Sequence, residues 1–251
     1  MKKILAANPP LREGPYGCGE VARLIGKHPN TLRQYDAWGF ISAVPRRANG
    51  YRVYNRRHVL EALLAVTALR VNFQEWQGRR LMREMIGAAV ARDFPGAQAA
   101  LDRHVALLAE ARAKLDQAKI ILERWRSGKR GPEREIVGRW QAARTIGTAP
   151  DTLRDWERSG LITPGRKSNG RRFYRGRDLD RLLVIKVLRE GGYSLMGILN
   201  LFGRQRHEQD LGFARDKWEE TLTGFIADTA VIQDRLDELR HEPGVRETAK
   251  P

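Results

Sequence analysis

Arg33 and Arg154 each end the same tripeptide, Thr31-Leu32-Arg33 and Thr152-Leu153-Arg154. A guanidinium can fork onto guanine or onto phosphate, and an Asn or Gln amide can read adenine. On a helix, Leu32 and Tyr35 share one face at i, i+3, leaving Asn30, Arg33, Gln34 and Ala37 outward. The second copy puts Leu153 and Trp156 inward and Asp151, Arg154, Asp155 and Arg158 outward. Asp155 is costly near phosphate unless it accepts from a cytosine amine or orients Arg154 or Arg158. Thr31 and Thr152 are counted with these contact candidates. Catalytic chemistry finds no comparable constellation. His28, His58, His104, His207 and His241 are scattered, and no P-loop, nucleophile elbow or paired-carboxylate setting is present. We therefore expect no catalytic residues and no enzyme activity.

The elements that must hold these side chains occur twice. Ala22-Arg23, Ile25-Gly26, Pro29, Gly39 and Ile41 recur as Ala143-Arg144, Ile146-Gly147, Pro150, Gly160 and Ile162. After a one-residue gap, Asn49-Gly50-x-Arg52-x-Tyr54 recurs as Asn169-Gly170-x-Arg172-x-Tyr174. So many identities in register indicate a duplication. Each copy reads as a short helix (20–25; 141–146) ending at a Gly, then a second helix opened by Pro29 or Pro150 and stopping near Gly39 or Gly160. That is a helix-turn-helix. A basic hairpin with Asn-Gly at its tip follows, a cationic wing. Arg46, Arg47, Arg52, Lys167, Arg171 and Arg172 are expected at phosphates, with Tyr54 and Tyr174 either joining them or packing beneath the wing. A third helix starts near Arg57 and near Arg177.

Two long helices carry heptad seams. Leu101, Leu108, Leu115 and Leu122 step by seven, with His104, Ala111, Ala118 and Trp125 between them. Leu211, Trp218, Phe225, Ile232 and Leu239 keep the same step, with Leu222, Thr229 and Leu236 interleaved. Small residues on one helix facing bulky ones on the other suit a coiled-coil partnership. The seam predicted at the interface is Leu101, Leu108, Leu115 and Leu122 against Trp218, Leu222, Phe225 and Ile232. Pro95-Gly96 is expected to break the chain before the first long helix.

The expected organisation is a first winged domain over 15–86, a long helix over 97–127, a linker over 128–137, a second winged domain over 138–206, a long helix over 207–240 and a disordered tail over 241–251. The fold class is mainly α with small β-wings. Its long helices pair as an antiparallel coiled coil.

Charge agrees with this reading. Lys and Arg total 46 against 30 Asp and Glu in 251 residues, a formal net charge of +16. A polyanion is the natural partner, nucleic acid before an anionic membrane surface, for which a basic amphipathic helix is lacking. The single cysteine, Cys18, rules out an intramolecular disulfide framework and a multi-cysteine metal site. Cys18 reads as a small buried or capping residue rather than a thiol sensor. The start MKKILAANPP is too short in apolar residues for a signal peptide, and no run reaches membrane-span length, so a cytoplasmic, nucleoid-associated location is expected.

These residues resemble the MerR family of winged-helix DNA-binding regulators. IGKHPNTLRQYDAWGFI with NGYRVY, and IGTAPDTLRDWERSGLI with NGRRFY, follow the family pattern of helix-turn-helix and wing. GGYSLMGILNLF (191–202) looks like the start of the family's following helix, weakened in the first copy to Asn72–Trp76. The family's usual Ser before the Pro is His28 or Ala149 here, which removes a hydroxyl N-cap. The resemblance implies double-stranded DNA as partner, RNA polymerase through promoter context, and dimerisation through the long helix. No effector region or metal-ligand Cys pair is found, so no cofactor and no metal are expected.

In an antiparallel pair the end of the first long helix lies beside the start of the second, where the linker leads. The chain would then be a covalent pseudo-dimer, a monomer favoured over a homodimer with swapped helices. It would read two unlike half-sites and distort the DNA between them. The alternative is an architectural DNA-bending protein of recombination, phage or plasmid functions.

Overall fold

The computed structural model describes residues 11–71, 77–129, 137–203 and 207–242. The weak first-copy motif at 72–76, residues 130–136 of the expected linker and the tail from 243 lie outside the described residues. The protein is mainly helical. It runs α1 (Cys18–Leu24), α2 (Pro29–Ala37), α3 (Arg56–Ala68), α4 (Gln77–Val90), α5 (Phe94–Arg126), α6 (Arg139–Ile146), α7 (Pro150–Arg158), β1 (Gly165–Arg166), β2 (Arg172–Phe173), α8 (Gly176–Glu190), α9 (Leu195–Gly203) and α10 (His207–His241). None of the described helices is long and apolar enough to cross a membrane.

The chain divides into two compact units. One comprises Met1–Leu108 with Gly224–Pro251, the other Ala109–Thr223. Each unit thus takes one winged domain and a segment of both long helices.

In the first unit, α1 and α2 lie over α3 around Val21, Ile25, Leu32, Ile41, Tyr54, Val59 and Leu63, all buried. A second cluster joins α3 and α4 to the start of α5 and the end of α10. It contains Leu64, Met82, Met85, Ile86, Leu101, Ile232 and Leu236, with Phe225 packed against it. Gln98 on α5 exchanges amide bonds with Gln233 on α10 at 2.8 and 3.0 Å. Arg235, also on α10, is almost wholly buried and donates to the carbonyl of Leu63 at 2.7 Å and to the Thr67 hydroxyl on α3.

In the second unit, Lys119 and Arg112 on α5 pair with Glu219 on α10. Arg124 near the end of α5 pairs with Asp180 on α8. In both units an early stretch of one long helix meets a late stretch of the other, so the two run antiparallel. The seam side chains lie inward: Leu101, Leu108, Leu115, Leu122, Trp218, Leu222 and Ile232 are buried, and so are His104, Ala111, Ala118, Thr229 and Leu239.

Helix ends follow local chemistry. Pro29 and Pro150 open their helices, where a missing N–H costs nothing. Gly39 and Gly160, just past α2 and α7, have φ near +71° and +74°, which L side chains adopt at a cost. The expected break at Pro95-Gly96 is absent: both residues lie in the first turn of α5. Proline is tolerated there, and the Asp93 carboxylate accepts from the Gly96 amide at 2.9 Å.

Candidate nucleic-acid interface

The outward stripes stand as helical spacing requires. On α2, Leu32 and Tyr35 are buried, Asn30, Arg33, Gln34 and Ala37 are exposed, and Thr31 is half-buried. On α7, Leu153 and Trp156 are buried, Asp151, Arg154, Asp155 and Arg158 are exposed, and Thr152 is half-buried. The start of α2 keeps a cap despite its missing Ser, because His28 Nδ1 accepts from the Asn30 amide at 3.2 Å. Ala149 offers no such acceptor to α7, although Asp151 in the first turn favours the positive helix end.

The two stripes differ in charge. Arg33 is held by the neutral Asn30 side chain at 2.7 Å. Arg154 and Arg158 lie 3.6 and 3.8 Å from Asp151 and Asp155. Those pairs are exposed and weak, about 0–1 kcal/mol, so either arginine can exchange its carboxylate for a base edge or a phosphate.

Each wing tip is a three-residue loop. Gly50 N–H bonds the Arg47 carbonyl, Gly170 N–H bonds that of Lys167, and the following residues close the hairpin. The loop ends on a Gly at φ near +80° or +77°, the left-handed position such loops need. Asn49 and Asn169 brace the loops by accepting from the amides of Tyr51 and Arg171. Arg46, Arg47, Lys167 and Arg171 are exposed around the tips. Tyr51 is 73 % exposed. In the first copy the wing shows only bridge pairing, Arg46 with Arg52 and Tyr16 with Tyr54; in the second, β1 and β2 form the ladder.

Arg52 and Arg172, expected at phosphates, have partners inside the protein. Arg52 Nε donates to Asp36 on α2 at 2.7 Å, and Arg172 Nε donates to Glu157 on α7. Both salt bridges are about a quarter exposed and tie the wing to the recognition helix. The aligned carboxylates, Asp36 and Glu157, were missed in the sequence, although both copies carry an acid at that position.

Tyr54 and Tyr174 pack beneath the wing, one of the two placements expected for them: both are fully buried. Their backbone pairs with Tyr16 and Val137, which turns each ring into the core beneath the wing. Burial raises both hydroxyl pKa values; the Cys18 thiol adds to this at Tyr54, and the Arg139 guanidinium opposes it at Tyr174. Cys18 itself is half-buried, with its sulfur 3.9 Å from the Pro29 carbonyl.

Trp140, at the start of α6, was also missed. It is 76 % exposed. It lines a cleft of about 560 Å3 with Gln141, Lys167 and Arg171, between the helix start and the wing. Its signal was a mismatch within the duplication, since the first copy has Gly19 there. Among the described residues, no group of three His, Cys, Asp or Glu is placed to hold a metal ion.

A helix-turn-helix whose second helix carries an exposed polar stripe, flanked by a basic wing, defines a winged-helix module of the nucleic-acid-binding type. Residues 141–204 match the family described as MerR HTH family regulatory protein, and residues 19–54 match MerR family regulatory protein. Two segments of the chain, in tandem, thus match MerR-family helix-turn-helix domains.

It is 39 % identical over 66 residues to a probable heavy metal-dependent transcriptional regulator of Haemophilus influenzae, covering 26 % of this chain and 52 % of that protein. It is 42 % identical over 59 residues to the uncharacterized HTH-type transcriptional regulator YyaN of Bacillus subtilis, covering 23 % of this chain and 43 % of that protein. The chain spans about half the length of the curated relatives it matches.

Proposed function

We propose that the protein is a transcription regulator that binds double-stranded DNA as a covalent pseudo-dimer, not an enzyme. Its two winged domains read two non-identical half-sites and distort the DNA between them. The observation that carries this reading is the unlike pair of exposed stripes on otherwise matching helices, Asn30, Arg33 and Gln34 on α2 against Asp151, Arg154, Asp155 and Arg158 on α7. Two identical half-sites would not need them.

Within each half, the roles divide. Arg33, with Asn30 or Gln34, reads bases in one groove; Arg154 and Arg158, oriented by their aspartates, read the other. Arg46, Arg47, Lys167 and Arg171 neutralise phosphates from the wing tips. Arg52 and Arg172 are positioning residues that fix each wing against its recognition helix. The antiparallel seam does within one chain what a dimer interface does between two. RNA polymerase, a nucleoid location and the domain limits given above belong to the same proposal.

The test is a footprint on the protein's own upstream region and a genomic fragment pool at near-physiological salt. Protection of two unlike half-sites, about one to two helical turns apart, is expected. A strictly palindromic preferred site overturns the non-identity. Uniform, salt-labile protection overturns sequence-specific regulation in favour of the architectural alternative.

A further inference from the structure

The second unit holds a cleft of about 480 Å3 lined by Trp125, Leu161, Thr163, Arg177, Arg181 and Phe202, among others. A second hollow of about 500 Å3 shares Arg181 and Phe202 with it. The Arg181 guanidinium carbon lies 4.0 Å from the centre of the Phe202 ring. Its Nε donates to the Leu161 carbonyl at 2.8 Å. The Trp125 ring lies 6.5 Å from Phe202, tilted by 59°.

The duplication supplies a comparison within the chain. Arg181 aligns with Glu61, Thr163 with Ser42 and Leu161 with Phe40. In the first unit Glu61 is completely buried. Its carboxylate accepts from the Ser42 amide and hydroxyl at 2.7 and 2.8 Å and from Arg57 Nε at 2.7 Å. Arg57 continues to the Val90 carbonyl at 3.0 Å. That place is sealed by the protein's own groups. In the second unit the carboxylate is replaced by a cation, and the place is open.

The open site has a definite chemistry. Arg177 and Arg181 face one carboxylate, Asp178, which leaves an excess positive charge. Burial lowers the Arg181 pKa, a cost that a bound anion would relieve. Two aromatic rings supply flat walls, and the volume falls within the range of small-molecule sites, roughly 300–1,000 Å3. The floor, Gly160 to Thr163, is the segment that leaves α7 and leads into the wing.

We propose that this cleft binds a small planar aromatic anion, with its carboxylate on the free edge of the Arg181 guanidinium and its ring against Phe202 and Trp125. Among the described residues, the aligned place in the first copy is filled by Glu61 and its partners, so one ligand binds per chain.

The test is a calorimetric titration of the full chain with naphthoate, with naphthylmethylammonium as the charge-reversed probe. Naphthoate is expected to bind at one site, with a Kd of about 100 μM, and the ammonium at least about tenfold more weakly. Arg181→Gln and Phe202→Leu should each weaken naphthoate about tenfold or more, while Arg103→Gln, a cation outside the cleft, leaves it unchanged. If Arg181→Gln fails to fold, Phe202→Leu and Trp125→Leu carry the test. No binding below about 1 mM, equal binding of both probes, or naphthoate binding indifferent to the cleft variants overturns the site. The titration uses no DNA, so its failure is separate from any failure of the regulatory reading.

Discussion

Asp36→Asn separates two views of the acid beneath the first wing. The carboxylate holds Arg52 at 2.7 Å, with side chains 25 % and 21 % exposed on the Arg and Asp sides. A fully exposed pair would contribute about 0–1 kcal/mol, and a shielded charge-assisted bond about 1.5–3 kcal/mol. Partial shielding places this one near 1–2 kcal/mol, and an amide keeps one acceptor, so a loss of about 1 kcal/mol is expected. For a unit of this size that lowers Tm by about 3 °C. A free wing must be ordered again on DNA, which weakens specific binding by about fivefold. The salt dependence should not change, because no phosphate contact is lost. Fluorescence anisotropy on the footprinted duplex at several salt concentrations reads both quantities. Simple electrostatics predicts the opposite sign, since removing a negative charge next to a polyanion favours binding. Tighter or unchanged binding with an unchanged Tm would refute the positioning role.

Other expectations follow from burial and backbone geometry. Burial pushes the His104 pKa down from 6.5 to about 4, so the folded state excludes a proton that the unfolded chain accepts. Stability is then full above pH 6.5 and declines as pH falls toward 4; Tm measured against pH should show a shallower acid loss in His104→Leu, and an identical slope would contradict this. His58, lowered in the same direction by its burial, leaves part of the slope in place. Leu115→Ala, at a wholly buried seam position, should cost about 2–4 kcal/mol in urea unfolding, whereas Ile120→Ala, 64 % exposed on the same helix, should stay within about 0.5 kcal/mol. Gly50→Ala forces an L side chain to φ near +80° at the wing tip and should cost about 1 kcal/mol and weaken DNA binding, read by Tm and anisotropy.

The duplication made the frame legible, because aligned Gly, Pro and Asn-Gly positions carry backbone requirements that one sequence states twice. The outward stripes followed from helical period alone. Tyr54 and Tyr174 stay ambiguous in the sequence because an aromatic next to a basic strand reads equally as a contact or as core; the bridges to Tyr16 and Val137, distant in sequence, turn the rings inward. Asp36 and Glu157 were overlooked because their arginine partners lie 16 and 15 residues away, on another element. Pro95 was read as a break, although the first turn of a helix accepts proline. The buried Arg235, reaching α3 from 168 residues away, had no local signal at all.

The central claim is that one chain supplies both reading heads. Light scattering after size exclusion, on the free protein and on its complex with a duplex bearing both half-sites, tests it most directly. A covalent pseudo-dimer has the mass of one chain, 28.6 kDa, in solution and binds as one chain per duplex. Two chains per duplex, or a stable dimer free in solution, would contradict the pseudo-dimer and favour helices exchanged between chains.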